Sequence, residues 1–441
     1  MKYSISYNLC KLLFCMLLLS FACQAVAQQS TLLLTIDELF KLGIENSLQL
    51  KATKIQEVIS EDRQKSALIQ QLPNLHVGAS AGLIGQPIVF EKGLSNPTYP
   101  NVPNWSQNYN IELTQSIYQG GKIKYNIQKA NIQRQIANIA STKNKAEVKL
   151  LLLQQYMSLF SYYKQREVLK KNIEESELRL KDITRMRKEG ILTKNDEIRS
   201  ELQLTNYRLA YQEAENNIVI TSQQLDILLG LNEWLLIVPD TTVLYNNLSL
   251  QDYQFYLQLA CENYPGMQIA RRNTQLAEYD TKLAKSNFFP EVLFHAGNTL
   301  ARPLSSTMED MYNNNWNIGL SISYNLSSLY QNKHRMHEIK QSVQLSRNAE
   351  EQIMQEIRIQ IRSAYIRHQE ALNRVEALKL SVKQAEENYR IVQNRYLNQL
   401  SILTDLLDAG SVRLEAELQL TTARIQTIYT YYELQRACGN L

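Results

Sequence analysis

Trp316-Asn317-Ile318-Gly319-Leu320-Ser321-Ile322-Ser323-Tyr324-Asn325-Leu326 alternates without a break. Trp316, Ile318, Leu320, Ile322, Tyr324 and Leu326 fall on one side, and Asn317, Gly319, Ser321, Ser323 and Asn325 on the other. Period-two alternation over such a length predicts a strand with one apolar and one small, polar face. The same text stands earlier in the chain. Trp105 to Ile117 carries Tyr109, Ile111 and Leu113 against Asn108, Asn110, Glu112 and Thr114.

Each of these strands has a partner upstream. Leu72-Pro73-Asn74 precedes alternating Leu75 to Leu83, and Phe289-Pro290-Glu291 precedes the less regular Val292 to Leu300. Downstream of each return strand lies a stretch of roughly 70 residues lacking proline. The first follows Gly120-Gly121 and runs to Gly190, with Ile132, Ile136 and Ile139, then Leu169, Ile173, Leu180 and Ile183, at heptad-like spacing. It predicts a helix about 100 Å long at about 1.5 Å per residue. A second helix returns from Leu192 to about Leu229. The other half repeats the pair, from Gln331 to about Asn398 and from Thr404 to Ala437. Gly190-Ile191-Leu192-Thr193 is read as reappearing in Ser401-Ile402-Leu403-Thr404. Residues 35–71 are expected to form one helix, opened by a Thr35/Glu38 capping box.

The expected organisation is a signal peptide over 1–27, a first repeat over 28–230, a mixed connector over 231–256 and a second repeat over 257–441. In the leader, Lys2 and Lys11 precede the apolar run Leu12 to Ala22, and Ala25-Val26-Ala27 supplies a small-x-small cleavage site. Cleavage there lowers the net charge from +4 to about +2. Cys23 leaves lipidation as a second route of processing. Cys261 and Cys438 remain in the mature chain and are expected as buried thiols, a bridge between them being the alternative.

Composition narrows the functional classes. Glycine (14) and proline (9) are scarce for 441 residues, which favours long helices. A near-balanced charge without basic runs gives no case for nucleic acid. Beyond the leader, no apolar stretch approaches the length of a membrane-spanning helix. His334 and His337 lie three apart on a helix, but no third metal ligand is evident nearby. No nucleophile elbow, phosphate loop or zinc-protease motif occurs, so no cofactor and no enzymatic activity are expected.

Strands of nine to eleven residues with one apolar face match the height of a bilayer at barrel tilt. Four strands cannot close a barrel, and open edges are not tolerated in lipid. The chain is therefore expected to oligomerise. Eight strands from a dimer or twelve from a trimer both satisfy periodicity.

The order of elements, twice over, resembles the TolC family of outer-membrane efflux proteins. The resemblance rests on Leu72-Pro73, on Trp105 with Gln115-Ser116-Ile117-Tyr118-Gln119-Gly120-Gly121-Lys122, and on Glu189-Gly190-Ile191-Leu192-Thr193 with Asp196. Thr404-Asp405-Leu406-Leu407-Asp408-Ala409 completes it. It implies an α+β membrane protein, a homotrimer with a twelve-stranded barrel in the outer membrane of a Gram-negative bacterium and a helical tunnel in the periplasm. The partners it implies are a periplasmic adaptor, an inner-membrane RND or ABC transporter and outer-membrane lipid. The duct would export small molecules, with type I protein or peptide secretion as the alternative. A coiled-coil adaptor and an exported enzyme are the readings from other classes.

The resemblance also assigns residues. Asp405 and Asp408, three apart on one helix face, would form acidic rings at a periplasmic gate, although an acidic pair near a helix start also offsets the macrodipole. Tyr396 and Asp196 fall at gate-locking positions, and Ser401 stands where the family has a locking arginine. Leu320, Ile322, Ile111 and Leu113 would face lipid. Gly120 and Gly121 would turn the strand into the helix. The second half lacks that glycine pair, so its junction is expected to differ.

Overall fold

The computed structural model describes residues 31–242, 250–303 and 310–441. The leader over 1–27 with Cys23, and part of the 231–256 connector, lie outside the described residues. The elements in chain order are β1 (Thr31–Leu34), α1 (Ile36–Asn46), α2 (Leu48–Ile69), β2 (Asn74–Leu83), β3 (Trp105–Gln119), α3 (Lys122–Lys188), α4 (Lys194–Leu229) and β4 (Leu236–Pro239). There follow α5 (Tyr253–Asn263), α6 (Pro265–Ser286), β5 (Glu291–Arg302), β6 (Asn313–Ser323), α7 (Ser328–Leu397) and α8 (Leu403–Ala437). The duplication is plain in the lengths. α1 and α5 each have 11 residues, α2 and α6 each have 22, and α4 and α8 have 36 and 35.

The chain forms two compact units. One holds residues up to 51, 144–264 and 357–441; the other holds 52–143 and 265–356. The first unit contains the apolar core. Leu39 and Phe40 of α1 pack with Leu152, Leu153, Tyr156 and Phe160 of α3, Ile218, Leu225 and Leu229 of α4, and Ile425 and Ile428 of α8. Burying such side chains contributes about 1.5–3 kcal/mol each.

The expected helix over 35–71 is two helices. It breaks at Ser47, whose backbone leaves the helical region (φ −56°, ψ 120°). The capping box that opens α1 is present, with the Thr35 amide and hydroxyl donating to Glu38 at 3.0 and 2.9 Å. Ahead of α1, β1 pairs in parallel with β4, Leu33 opposite Val238. Tyr156 ties this pair to the core. Its hydroxyl donates to Leu34 O at 2.6 Å and accepts from the Asp240 amide at 2.9 Å. Burial pushes the phenol well above its usual range.

The second unit contains one antiparallel sheet in the order β2-β3-β5-β6. Val77 pairs with Ile111, Ile111 with Asn298, and Asn298 with Trp316. The expected return strand of the second half ends at Ser323 rather than at Leu326. Asn325 instead accepts from the Ser327 amide through its side chain, at 3.1 Å, and starts the turn into α7. At the matching place in the first half, Gly120 and Gly121 adopt φ +61° and +84°. A side chain at Gly120 would also strike the Ser286 backbone. The two junctions therefore differ, as the missing glycine pair implies.

Candidate functional site

Two regions carry chemistry: the α3–α4 and α7–α8 turns, in the first unit, and the sheet, in the second.

At the helix turns, the two halves superimpose in a register different from that expected. α3 ends at Lys188 and α7 at Leu397, and two residues later the chain turns left-handed, at Gly190 (φ +79°) and at Gln399 (φ +58°). The Ile191 amide then closes back on Met186 O at 2.9 Å, and the Leu400 amide on Arg395 O at 2.8 Å. Gly190 thus corresponds to Gln399, not to Ser401. The N-caps that follow are Thr193 and Ile402. Asp196 and Asp405 each occupy the third helical position.

Equivalent places are used differently. Thr193 and Asp196 form a capping box, the Thr193 hydroxyl donating to the carboxylate at 2.7 Å and the Asp196 amide returning a bond at 3.2 Å. Ile402 has no side-chain cap to offer. Asp405 instead accepts from Ser401 Oγ at 2.6 Å. Asp405 and Asp408 are both exposed. Tyr396 packs on Tyr389, Leu406 and Ala409, and its hydroxyl is buried with no hydrogen-bond partner among the described residues. Burial raises its pKa above the usual phenol value, and the charge of Asp196 adds to the effect.

Four polar links near these turns escape a motif search. Arg199 of α4 donates to Thr404 Oγ1 of α8 at 2.8 Å. Arg179 of α3 donates to the Tyr389 hydroxyl of α7 at 2.8 Å. Arg413 of α8 reaches Glu175 and Asn172 of α3, at 2.5 and 3.2 Å, and stacks over the Tyr389 ring at 4.2 Å. Glu197 is 4% exposed and pairs with Lys194 at 2.5 Å and Arg187 at 2.8 Å. The Lys194 contact is the main reason its carboxyl sits below the ordinary range. A signal was available for two of them. Arg413 follows Leu406 and Ala409 in heptad steps, and Glu197 precedes Ser200, Leu204 and Tyr207 in the same way, all of them buried. A charge on a seam position must be paired.

In the sheet, one face is apolar and open. Ile111, Leu320 and Ile322 are 53%, 63% and 74% exposed, and Leu113 lies on the same face, opposite Ala296, which pairs with Ile318. The other face carries His76, Glu112, His295, Asn317 and Gly319. Among the described residues β2 and β6 pair on one side only. No described helix is long and apolar enough to cross a membrane.

A solvent-exposed apolar sheet face, two open strand edges and a duplicated helical hairpin meet in one chain, and comparison with known proteins finds the same combination. Residues 256–440 match the family model described as outer membrane efflux protein. The match covers the second half of the chain. Over 92% of its length the chain has the fold of solved outer-membrane channels. It is similar to the outer membrane protein VceC of Vibrio cholerae, with 17% identity, a TM-score of 0.78, and coverage of 92% of this chain and 96% of that one. It is similar to the Campylobacter jejuni CmeC outer membrane channel at 16% identity and a TM-score of 0.73, covering 92% and 85% of the two chains. The open state of the Neisseria gonorrhoeae MtrE outer membrane channel gives 16%, 0.73, 92% and 88%. No curated protein sequence matches the chain. Within the matched residues lie Tyr396, Ser401, Asp405 and Asp408, whereas Asp196 and its capping box belong to the first half.

Proposed function

We propose that the chain is one protomer of a trimeric outer-membrane duct, the exit of a tripartite efflux pump. The observation that carries this reading is the sheet. Four strands in linear order leave β2 and β6 with unpaired backbone groups, beside an apolar face with nothing packed on it. The apolar face suits lipid but the unpaired edges do not, and pairing β6 of one copy with β2 of the next closes a ring. Three copies give twelve strands, wide enough for a water-filled lumen. The small polar face then lines the lumen and the apolar face meets hydrocarbon.

The helical hairpins extend the duct into the periplasm, where a periplasmic adaptor joins it to an RND or ABC transporter in the inner membrane. Export draws its energy from that partner. The cargo is small molecules.

The turns act as the gate. In a three-fold assembly Asp405 and Asp408 form two exposed acidic rings, which hold cations and repel anions at a narrow mouth. Ser401, in place of a locking arginine, holds Asp405 by a hydroxyl and leaves its charge uncompensated. The closed state rests on Arg199–Thr404, Arg179–Tyr389 and Arg413–Glu175, which tie the first hairpin to the second within a protomer.

Light scattering on detergent-purified protein, with planar-bilayer recording, tests the reading. A trimer with discrete channels supports it, and a water-soluble monomer without channels overturns it.

A further inference from the structure

Charge is unevenly placed along the helices that adjoin the sheet. α3 carries lysines and an arginine from Lys122 onward and no acidic residue before Glu147. α7 has no acidic residue from Ser328 to His337, and α6 closes with Lys282 and Lys285 after its last acid, Asp280. α2, the fourth helix to meet the sheet, is balanced, with Glu61 and Asp62 beside Arg63 and Lys65. Farther along, the long helices mix signs, as at Glu174, Glu175, Glu177 and Arg179. Basic character without acid is a property of the helix ends nearest the strands.

Ion pairs sort these cations by side. Lys129 reaches Asp280 at 2.5 Å and Arg335 reaches Glu338 at 2.9 Å, and all four line a cleft of about 520 Å³ between α3, α6 and α7. The cleft shares Lys122, Asn287 and Asn332 with a smaller one that is lined by Glu291 and Ser323, which continue the polar face of the sheet. At about 100° per residue, Lys124, Lys282, Lys285 and Lys333 fall on the far sides of their helices from that cleft, toward the apolar face. All four are exposed, and none has an ion-pair partner among the described residues. Lys282 stands over the Tyr279 ring at 4.5 Å, which leaves its charge in place.

The apolar face shows where a bilayer would end. Tyr118 lies opposite Val292 at its helix end, is exposed, and meets the exposed Phe289 edge to face at 6.4 Å. Tyr330 is exposed one turn before Lys333. Trp105 and Tyr109 are exposed toward the other end of the same face. Aromatic side chains at both ends of an apolar band mark the two interfaces of a membrane. The four lysines lie just past the interface on the helix side, where their apolar stems can extend and carry the ammonium groups to headgroup level.

We propose that Lys124, Lys282, Lys285 and Lys333 form a collar that holds anionic phospholipid headgroups of the periplasmic leaflet. Unpaired ammonium groups repeated round a closed ring meet a surface of opposite sign, and each lysine near such a surface adds an attraction that salt screens. The collar fixes the height of the barrel in the membrane and selects the lipids around it. The inference rests on the duct reading above.

The test is the association of spin-labelled lipids with the full chain reconstituted in phosphatidylcholine vesicles, read by electron spin resonance. Labelled phosphatidylglycerol is expected to be held several-fold more strongly than labelled phosphatidylcholine, and high salt should shrink the difference. Lys124→Gln/Lys282→Gln/Lys285→Gln/Lys333→Gln should bring the two lipids close to parity, and arginine at the same four positions should keep the preference. Lys188→Gln/Lys383→Gln, far along the helices, should leave it unchanged. Each single glutamine variant should remove part of the preference, which keeps the test open if the fourfold variant assembles poorly. No preference in the unmodified protein, or an undiminished one in the glutamine variants, overturns the collar. Lysines that bind an acidic protein, or serve only solubility, give that second result. If labelled lipid of neither kind is immobilised, the duct reading fails instead.

Discussion

Ser401 donates its hydroxyl to the Asp405 carboxylate at 2.6 Å. In the first half of the chain the equivalent carboxylate, Asp196, is engaged by the N-cap Thr193, which also receives the Asp196 amide. The same acidic position thus serves as a cap in one half and is released from capping in the other, because the second N-cap is Ile402. Release leaves Asp405 exposed beside Asp408, and the gate proposal depends on it.

Neutralising both carboxylates should therefore change the pore more than the fold. Asp405→Ala with Asp408→Ala is expected to raise single-channel conductance and to remove block by divalent cations. Thr193→Ala, at the other turn, should leave block intact and cost about 0.5–2 kcal/mol of stability through the lost cap. Bilayer recording with added magnesium separates them. Equal divalent block in the double variant and in the unmodified protein would remove Asp405 and Asp408 from the gate.

Restoring the cap is the complementary change. Ile402→Thr places a hydroxyl where Thr193 has one, and should draw the Asp405 carboxylate back toward its own helix start. The expected result is about 1 kcal/mol of added stability together with weaker divalent block, read by thermal unfolding and by bilayer recording. Added stability with unaltered block would mean that capping does not compete with the ring.

Most of the architecture could be read from hydrophobic period. Alternation placed all four long strands, and the lack of proline and glycine placed both long helices. What escaped was set by contacts distant in sequence. Thr31–Leu34 is too short to show a period, and becomes a strand because it pairs with Leu236–Pro239 some 200 residues on, about a whole repeat away. The break at Ser47 has no proline or glycine to announce it. At the gate, sequence similarity matched Gly190 to Ser401, since both precede an Ile-Leu-Thr. Backbone conformation matches it to Gln399, a non-glycine residue in a left-handed turn, which side-chain chemistry does not advertise.

The sheet's apolar face yields a depth-sensitive prediction. Leu320→Lys and Ile322→Lys should each reduce the amount of heat-resistant trimer in the outer membrane, since a cation facing lipid costs about 2–4 kcal/mol near the midplane. Ser321→Lys lies between them on the other face and should assemble normally. Equal assembly of all three on semi-native gels would place both faces in water.

Asp226 provides a pH-dependent test in the helical unit. It is fully buried near the end of α4, with the Leu235 amide beside its carboxylate. Burial raises its pKa to about 6, and the Leu235 amide offsets only part of that. The unfolded chain releases this proton near pH 4. Between these values the folded state holds a proton that the unfolded state lacks, so stability falls as pH rises through the window. Above it the whole penalty is present. Asp226→Asn removes the ionisation and should raise the melting midpoint more at pH 8 than at pH 4.5. An equal shift at both values would show that Asp226 does not titrate in this range.

Arg413 offers the sharpest separation of lock from scaffold. It is nearly buried, and its partner Glu175 on α3 keeps part of its side chain in solvent. Truncating the arginine strands that carboxylate, at a cost of about 3 kcal/mol, the lower end of the range for a broken buried pair. Arg413→Ala is therefore expected to lower the melting midpoint and to raise the fraction of time the channel is open, because the link between the hairpins is gone. Glu175→Gln added to it removes that stranded charge without restoring the link, while Glu417, 3.9 Å from the arginine, stays unneutralised. The double variant should recover stability over Arg413→Ala while its open fraction stays high. In a double-mutant cycle the coupling should then appear in stability. If stability and open fraction recover together, the pair holds the hairpins in place and has no part in closing the channel.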